Sequence, residues 1–325
     1  MYIAKINTII MIAKLFKRFS VYSLSLSLLI LSFLSYLYSD LEMLWFSFQS
    51  RILNFLIILG LLIMTINSVR RIFKFSKFEN RFHYYLLTYP LIVFSFPVEL
   101  FDIRILLSST LFFNGWASFR EYVDSKSTLS SSTSLNKLLD STLLITFSSA
   151  IFYENIFFLC FPLLAMIFSK KSINRQEFVI IFLTPIIILF AFYQLLLAFE
   201  LDSFFFTSLL SEYSFSFSNN FEISMLYKKM DLLIILSLFA LSIMIGNKNR
   251  IDYDARTLEY DGLAYFFIIL LIIGFSNSPS GMLLHYLSLP IVYYTNRVFI
   301  INKKNYIANF LVILLTISFL LFNFV

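Results

Sequence analysis

The residues able to do chemistry in this chain are few, and they gather at the ends of apolar runs. Asp40 and Glu42 stand two apart in Tyr38-Ser39-Asp40-Leu41-Glu42-Met43-Leu44-Trp45, directly after the first long apolar run. Paired carboxylates at a membrane surface can bind a divalent metal or serve as a general base. The same two acids also suit the start of a surface helix, Asp40 as its cap and Glu42 against its dipole. A second group is Pro97-Val98-Glu99-Leu100-Phe101-Asp102-Ile103-Arg104, where Glu99, Asp102 and Arg104 offer acids and a phosphate-binding guanidinium. An ordinary turn with Arg104 paired to a neighbouring carboxylate is the commoner arrangement for such a group. His285, in Ser278-Pro279-Ser280-Gly281-Met282-Leu283-Leu284-His285, suits a metal ligand, a base or a hydrogen-bonded packing residue. His83 sits among Arg81, Phe82, Tyr84 and Tyr85 and reads as a headgroup-level residue. The single cysteine, Cys160, lies in an apolar run, reads as a packing residue and excludes a disulfide within the chain. HExxH, Walker, GxSxG and paired CxxC motifs are absent.

The elements that must position these residues follow from composition. Of 325 residues 59% are apolar and 14% charged, with a mean hydropathy of +0.84, more apolar surface than one soluble core can hide. The expected fold class is all-α: a polytopic integral membrane protein forming one membrane-embedded domain over residues 1–325. The first charge-free run, Phe19 to Ser39, follows Lys14, Lys17 and Arg18 and is long enough to cross a bilayer. It ends without an A-x-A-like site and so reads as an uncleaved signal anchor. Ahead of it, residues 1–18 mix Ile9, Ile10, Ile12, Leu15 and Phe16 with lysines, as an interfacial amphipathic segment does. Further runs fall at about 52–69, 84–98, 105–119, 138–152, 155–169, 178–199, 232–246, 262–275, 281–296 and 306–324. These make eleven candidate spans, with nine to twelve as the range because the shorter ones could be tilted or re-entrant. With 42 Phe and 19 Tyr against 6 Gly, the spans should be bulky and poor in small-residue contact faces.

Charge supplies the sidedness. With eleven crossings and the N-terminus inside, 21 of the 25 Lys and Arg fall in inner segments, leaving Arg51, Arg104, Lys228 and Lys229 outside. An error in the count would scramble the alternation from that point on. The net charge of +6 is therefore a matter of membrane orientation and points to no nucleic-acid partner. Acids are not sorted: ten lie outside, nine inside. Residues 200–231, rich in Phe and Ser, read as an outer-surface loop, and the Ser-rich inner loop 120–137 as a flexible linker.

An acid just beyond the first span, followed by an amphipathic external stretch and many further spans, resembles the C superfamily of membrane glycosyltransferases. That resemblance implies a polyprenyl-phosphate-linked sugar donor and a catalytic acid in the first external loop, a role that would fall to Asp40 with Glu42 beside it. The recognisable soluble C-terminal domain usual in that superfamily has no counterpart in these residues. The start Met11-Ile12-Ala13-Lys14-Leu15-Phe16-Lys17-Arg18 is also similar to that of an uncharacterised family of polytopic inner-membrane proteins of Bacteroidetes, which implies a compartment and no activity.

Two functions of different class follow. The first is a group transferase at the outer face, with Asp40 catalytic, Glu42, Glu99, Asp102, Arg104 and His285 binding substrate, and a divalent metal compatible with the acids. The second is a non-enzymatic membrane subunit whose aromatic spans bind other membrane proteins. A transporter ranks third, because no ionisable residue falls near a span centre. The odd number of crossings places the N-terminus in the cytoplasm and Val325 outside, and reporter fusions at the two ends should give opposite signals. Termini on one side would refute eleven crossings.

Overall fold

The computed structural model describes residues 20–39, 51–74, 83, 85–94, 103–125, 131–169, 173–200, 261–269, 272, 286, 288–289 and 292. Among them regular structure is entirely helical: α1 Val21–Tyr38, α2 Arg51–Lys74, α3 Tyr85–Phe94, α4 Ile103–Ser125, α5 Ser131–Ile151, a 3-10 helix Tyr153–Cys160, α6 Phe161–Phe168, α7 Arg175–Ala198, and α8 over 261–269. The all-α expectation holds, and the apolar runs that fall on described residues are helices. The expected interfacial segment 1–18, the outer loop 200–231 beyond Glu200 and the runs 232–246 and 306–324 lie outside the described residues. Among the described residues two helices are long and apolar enough to cross a membrane, α2 over Arg51–Phe73 and α7.

Local chemistry explains where several helices begin. Ser20 and Ser23 close a reciprocal capping box on α1: the Ser23 amide donates to Ser20 Oγ, and the Ser20 amide donates to Ser23 Oγ, each at 3.1 Å. At α7 the Asn174 amide donates to Glu177 Oε2 at 2.8 Å, placing an acid in the first turn where the helix dipole favours it. Within the helices, hydroxyls hand their protons back one turn: Ser35 to Leu31 O, Thr65 to Leu61 O, Thr142 to Leu138 O and Thr146 to Thr142 O, at 2.7–2.9 Å. Such back-bonding lets a polar side chain sit among apolar neighbours without losing a hydrogen bond.

The described residues divide into two compact units. In the first, drawn from 1–106 and 280–325, α1 packs on α2 and α3, and α2 on α3, around Leu31, Leu34, Ile58, Leu62, Tyr89 and Ile92. In the second, drawn from 107–222 and 255–279, α5 packs on α7 and on the 3-10 helix. Its centre is aromatic. Tyr265 of α8 stacks against both Phe112 and Phe158, with centroids 5.3 and 5.4 Å away, while Trp116 lies 4.9 Å from Tyr265 and 5.1 Å from Phe161. Offset ring pairs of this kind add to plain burial.

Three sequence expectations are corrected. The segment 120–137 is no flexible linker at its ends, because α4 runs on to Ser125 and α5 starts at Ser131. Lys137 Nζ and Glu121 Oε2, 3.0 Å apart, join the two helices there. Cys160 is exposed and does not pack inside. Small-residue contact is also present: Ser108 and Gly115 on α4, seven apart, face the α5 region carrying Ser141 and Ser148, also seven apart. Ser108 Oγ donates to Ser148 O at 2.7 Å, and a Cβ at Gly115 would lie 2.8 Å from Ile145 Cγ1 and 3.1 Å from Ser141 O. A seven-residue period keeps the small side chains on one helical face, and so lets the backbones approach. Gly115→Leu should therefore destabilise the protein by about 1–3 kcal/mol, the range for overpacking a tight contact. Chemical or thermal denaturation in detergent micelles reads the loss.

Candidate functional site

Of the predicted site residues Asp40, Glu42, Glu99, Asp102, Arg104 and His285, the described residues include Arg104 alone. It lies in the first turn of α4 and is half-buried. The other five lie outside the described residues.

What the structure does build is the approach to Asp40. Ser39, the residue before it, ends α1 and is buried. Its hydroxyl donates to Tyr36 O at 2.7 Å and accepts from Arg51 Nε at 3.2 Å, while its carbonyl accepts from Asn54 Nδ2 at 3.4 Å. The Arg51 guanidinium lies over the Tyr36 ring, 4.3 Å from its centroid. Arg51 opens α2, so the antiparallel pairing of α1 with α2 brings a cation from twelve residues downstream to the end of α1. Arg51 and Asn54 escaped the sequence reading. The signal available for them was that adjacent apolar runs pair antiparallel, which sets the start of one beside the end of the other.

The second unit holds two polar groups that the sequence did not single out. Arg120, read as an inner-loop cation, is on α4 and fully buried, with Nη1 3.0 Å from Asp261 Oδ2, itself 2% exposed, and Nη2 3.9 Å from Asp124 Oδ1. At 1.5 Å per residue, Arg120 sits about 7 Å inside the end of α4. Toward the opposite end of α4, buried Asn155 of the 3-10 helix donates to Ser108 Oγ and, at 2.9 Å, to Ser148 Oγ, and its carbonyl accepts from Ser149 Oγ at 2.9 Å. This network ties α4, α5 and the 3-10 helix through groups without charge. Among the described residues no three His, Cys, Asp or Glu side chains come together as a metal site.

No protein-family model, curated protein or solved structure matches this chain.

His83, half-buried, holds Nδ1 3.2 Å from Tyr85 Oη, with the rings edge-to-face at 5.7 Å. Burial first, and the positive charge of Arg70 second, hold its pKa below 6.5. A base whose folded pKa is lowered binds fewer protons folded than unfolded, so its contribution to stability is full above pH 6.5 and falls as pH drops through that value toward the folded pKa. Titration of the His83 ring by NMR should give a midpoint below 6.5, and Arg70→Gln should move it only part of the way back, because burial is the larger cause.

Proposed function

We propose that the chain is a multi-pass protein of the bacterial inner membrane with eleven crossings, and that it acts as a group transferase at the outer face. The membrane reading is supported by α7. Phe178, Phe182, Ile186, Phe190 and Leu195 of this helix are exposed, and only 11% of its apolar window is covered against 39% for α2. The buried core helix of a soluble protein would be covered, and α7 is far from the N-terminus where a signal sequence would sit. Contacts in the second unit agree with the alternation of spans. Ser108, Ser148 and Asn155 meet at ends assigned to the outer side, and Arg120 and Asp261, and Glu121 and Lys137, at ends assigned to the inner side.

The observation that carries the transferase is the arrangement around Ser39. The Arg51 guanidinium is held by Ser39 and Tyr36 at the end of α1, one residue before Asp40 in sequence, and a cation with a carboxylate are the two charges a phosphate-linked donor and its acceptor hydroxyl require. Asp40 would take the acceptor proton and Arg51 would hold the donor phosphate, in keeping with a polyprenyl-phosphate-linked sugar. Glu42, Glu99, Asp102, Arg104 and His285 complete the proposed pocket, with a divalent metal an option for the acids. In reconstituted vesicles Asp40→Asn should lower transfer from a polyprenyl-phosphate sugar by about 100-fold or more at unchanged folded yield, the scale of a lost general base. Arg51→Gln should chiefly raise the donor concentration needed.

The uncovered face of α7 favours the second reading, a non-enzymatic subunit that offers this helix to another membrane protein. Activity indifferent to Asp40→Asn, together with stoichiometric co-purification of a second membrane protein, would replace the transferase by the subunit.

A further inference from the structure

The geometry points to a reversible ionic latch at Arg120: its guanidinium closes α4 onto α8 through Asp261 and can pass to Asp124 on its own helix, releasing α8 without leaving the guanidinium unpaired. Three observations carry this. First, the Arg120–Asp261 bond at 3.0 Å is the tight one and crosses between elements, α4 and the first residue of α8, with both side chains buried. Second, Asp124 is one turn along the same face of α4, its Oδ1 already 3.9 Å from Nη2, so exchange needs side-chain rotation and no backbone movement. Third, Asp124 is 32% exposed where Asp261 is 2% exposed, so the two acids hold Arg120 in different surroundings, one at a solvent-reached edge and one sealed between helices.

A buried ion pair with a single acid is severely damaged when that acid is removed, because the remaining charge stays desolvated and uncompensated. A standby acid within reach changes the outcome: the pair becomes a two-position element, which packed helices need if they are to shift between discrete arrangements. Directly beyond the pair, Ala264 and Tyr265 of α8 are fully buried, Tyr265 against the α4 rings, so release of Asp261 loosens the contact that seals the aromatic centre.

The test uses the full chain in a Cys160→Ser background, which removes the exposed native thiol, with Ala264→Cys as a reporter in α8. Asp261→Asn should still fold and insert, and should raise maleimide labelling at position 264 several-fold. Asp124→Asn alone should change neither folded yield nor labelling. Asp261→Asn with Asp124→Asn should lose most of the folded yield, and adding Arg120→Gln should restore it. If Asp261→Asn alone is as poorly folded as the double variant, the pair is a fixed strut and the latch is wrong. Folded Asp261→Asn with unchanged labelling, or a double variant no worse than Asp261→Asn, overturns it equally.

Discussion

A polar group buried in a chain that is 59% apolar has no solvent to fall back on, and that constraint shapes every buried contact described above. The backbone meets it by forming helices, whose amide and carbonyl groups pair within the segment. Hydroxyls meet it locally, as when Thr142 and Thr146 return their protons to carbonyls one turn back on α5. Asn155 finds its partners on other elements, two serines, one on each of α4 and α5. A guanidinium demands most, and Arg120 is placed against one carboxylate on a different helix and a second on its own.

Each solution sets a distance between helices. The serine and glycine seam between α4 and α5 draws two backbones together until a Cβ at Gly115 would collide with Ile145. The opposite requirement operates where Phe112, Trp116, Phe158, Phe161 and Tyr265 meet, since rings at centroid separations of about 5 Å hold their helices apart and in register. Phe112 and Gly115 lie on the same helix, three residues apart, so α4 serves both contacts with adjoining faces. α7 makes a different use of apolar side chains. With α5 as its main described neighbour, it leaves most of its large residues uncovered, as a helix meeting lipid or a partner protein would.

The end of α1 follows the same economy of polar contacts. Ser39 is fixed at the end of α1 by Tyr36, Arg51 and Asn54, which holds a cation at that helix end. The transferase proposal draws on that placement. The Arg120 latch lies in the other unit and stands or falls independently of it.

Helical class and the approximate positions of those apolar runs that fall on described residues were legible from the residues alone, because length and hydropathy are properties local to the chain. Asp40 and Glu42 could be picked out for the same reason: a pair of acids two apart beside an apolar run is visible without a fold. Tertiary structure decided which polar residues meet. Arg120 reads as one more inner-loop cation until α4 is seen to run to Ser125 and α8 to begin at Asp261, 141 positions later. Arg51 reads as an outer cation until α2 turns back along α1. The small-residue seam was hidden because Ser108, Gly115, Ser141 and Ser148 are too few to mark composition, and their effect appears only when two seven-residue periods face each other. Partnership between residues far apart in sequence is a property of packing, and packing is what a list of residues does not contain.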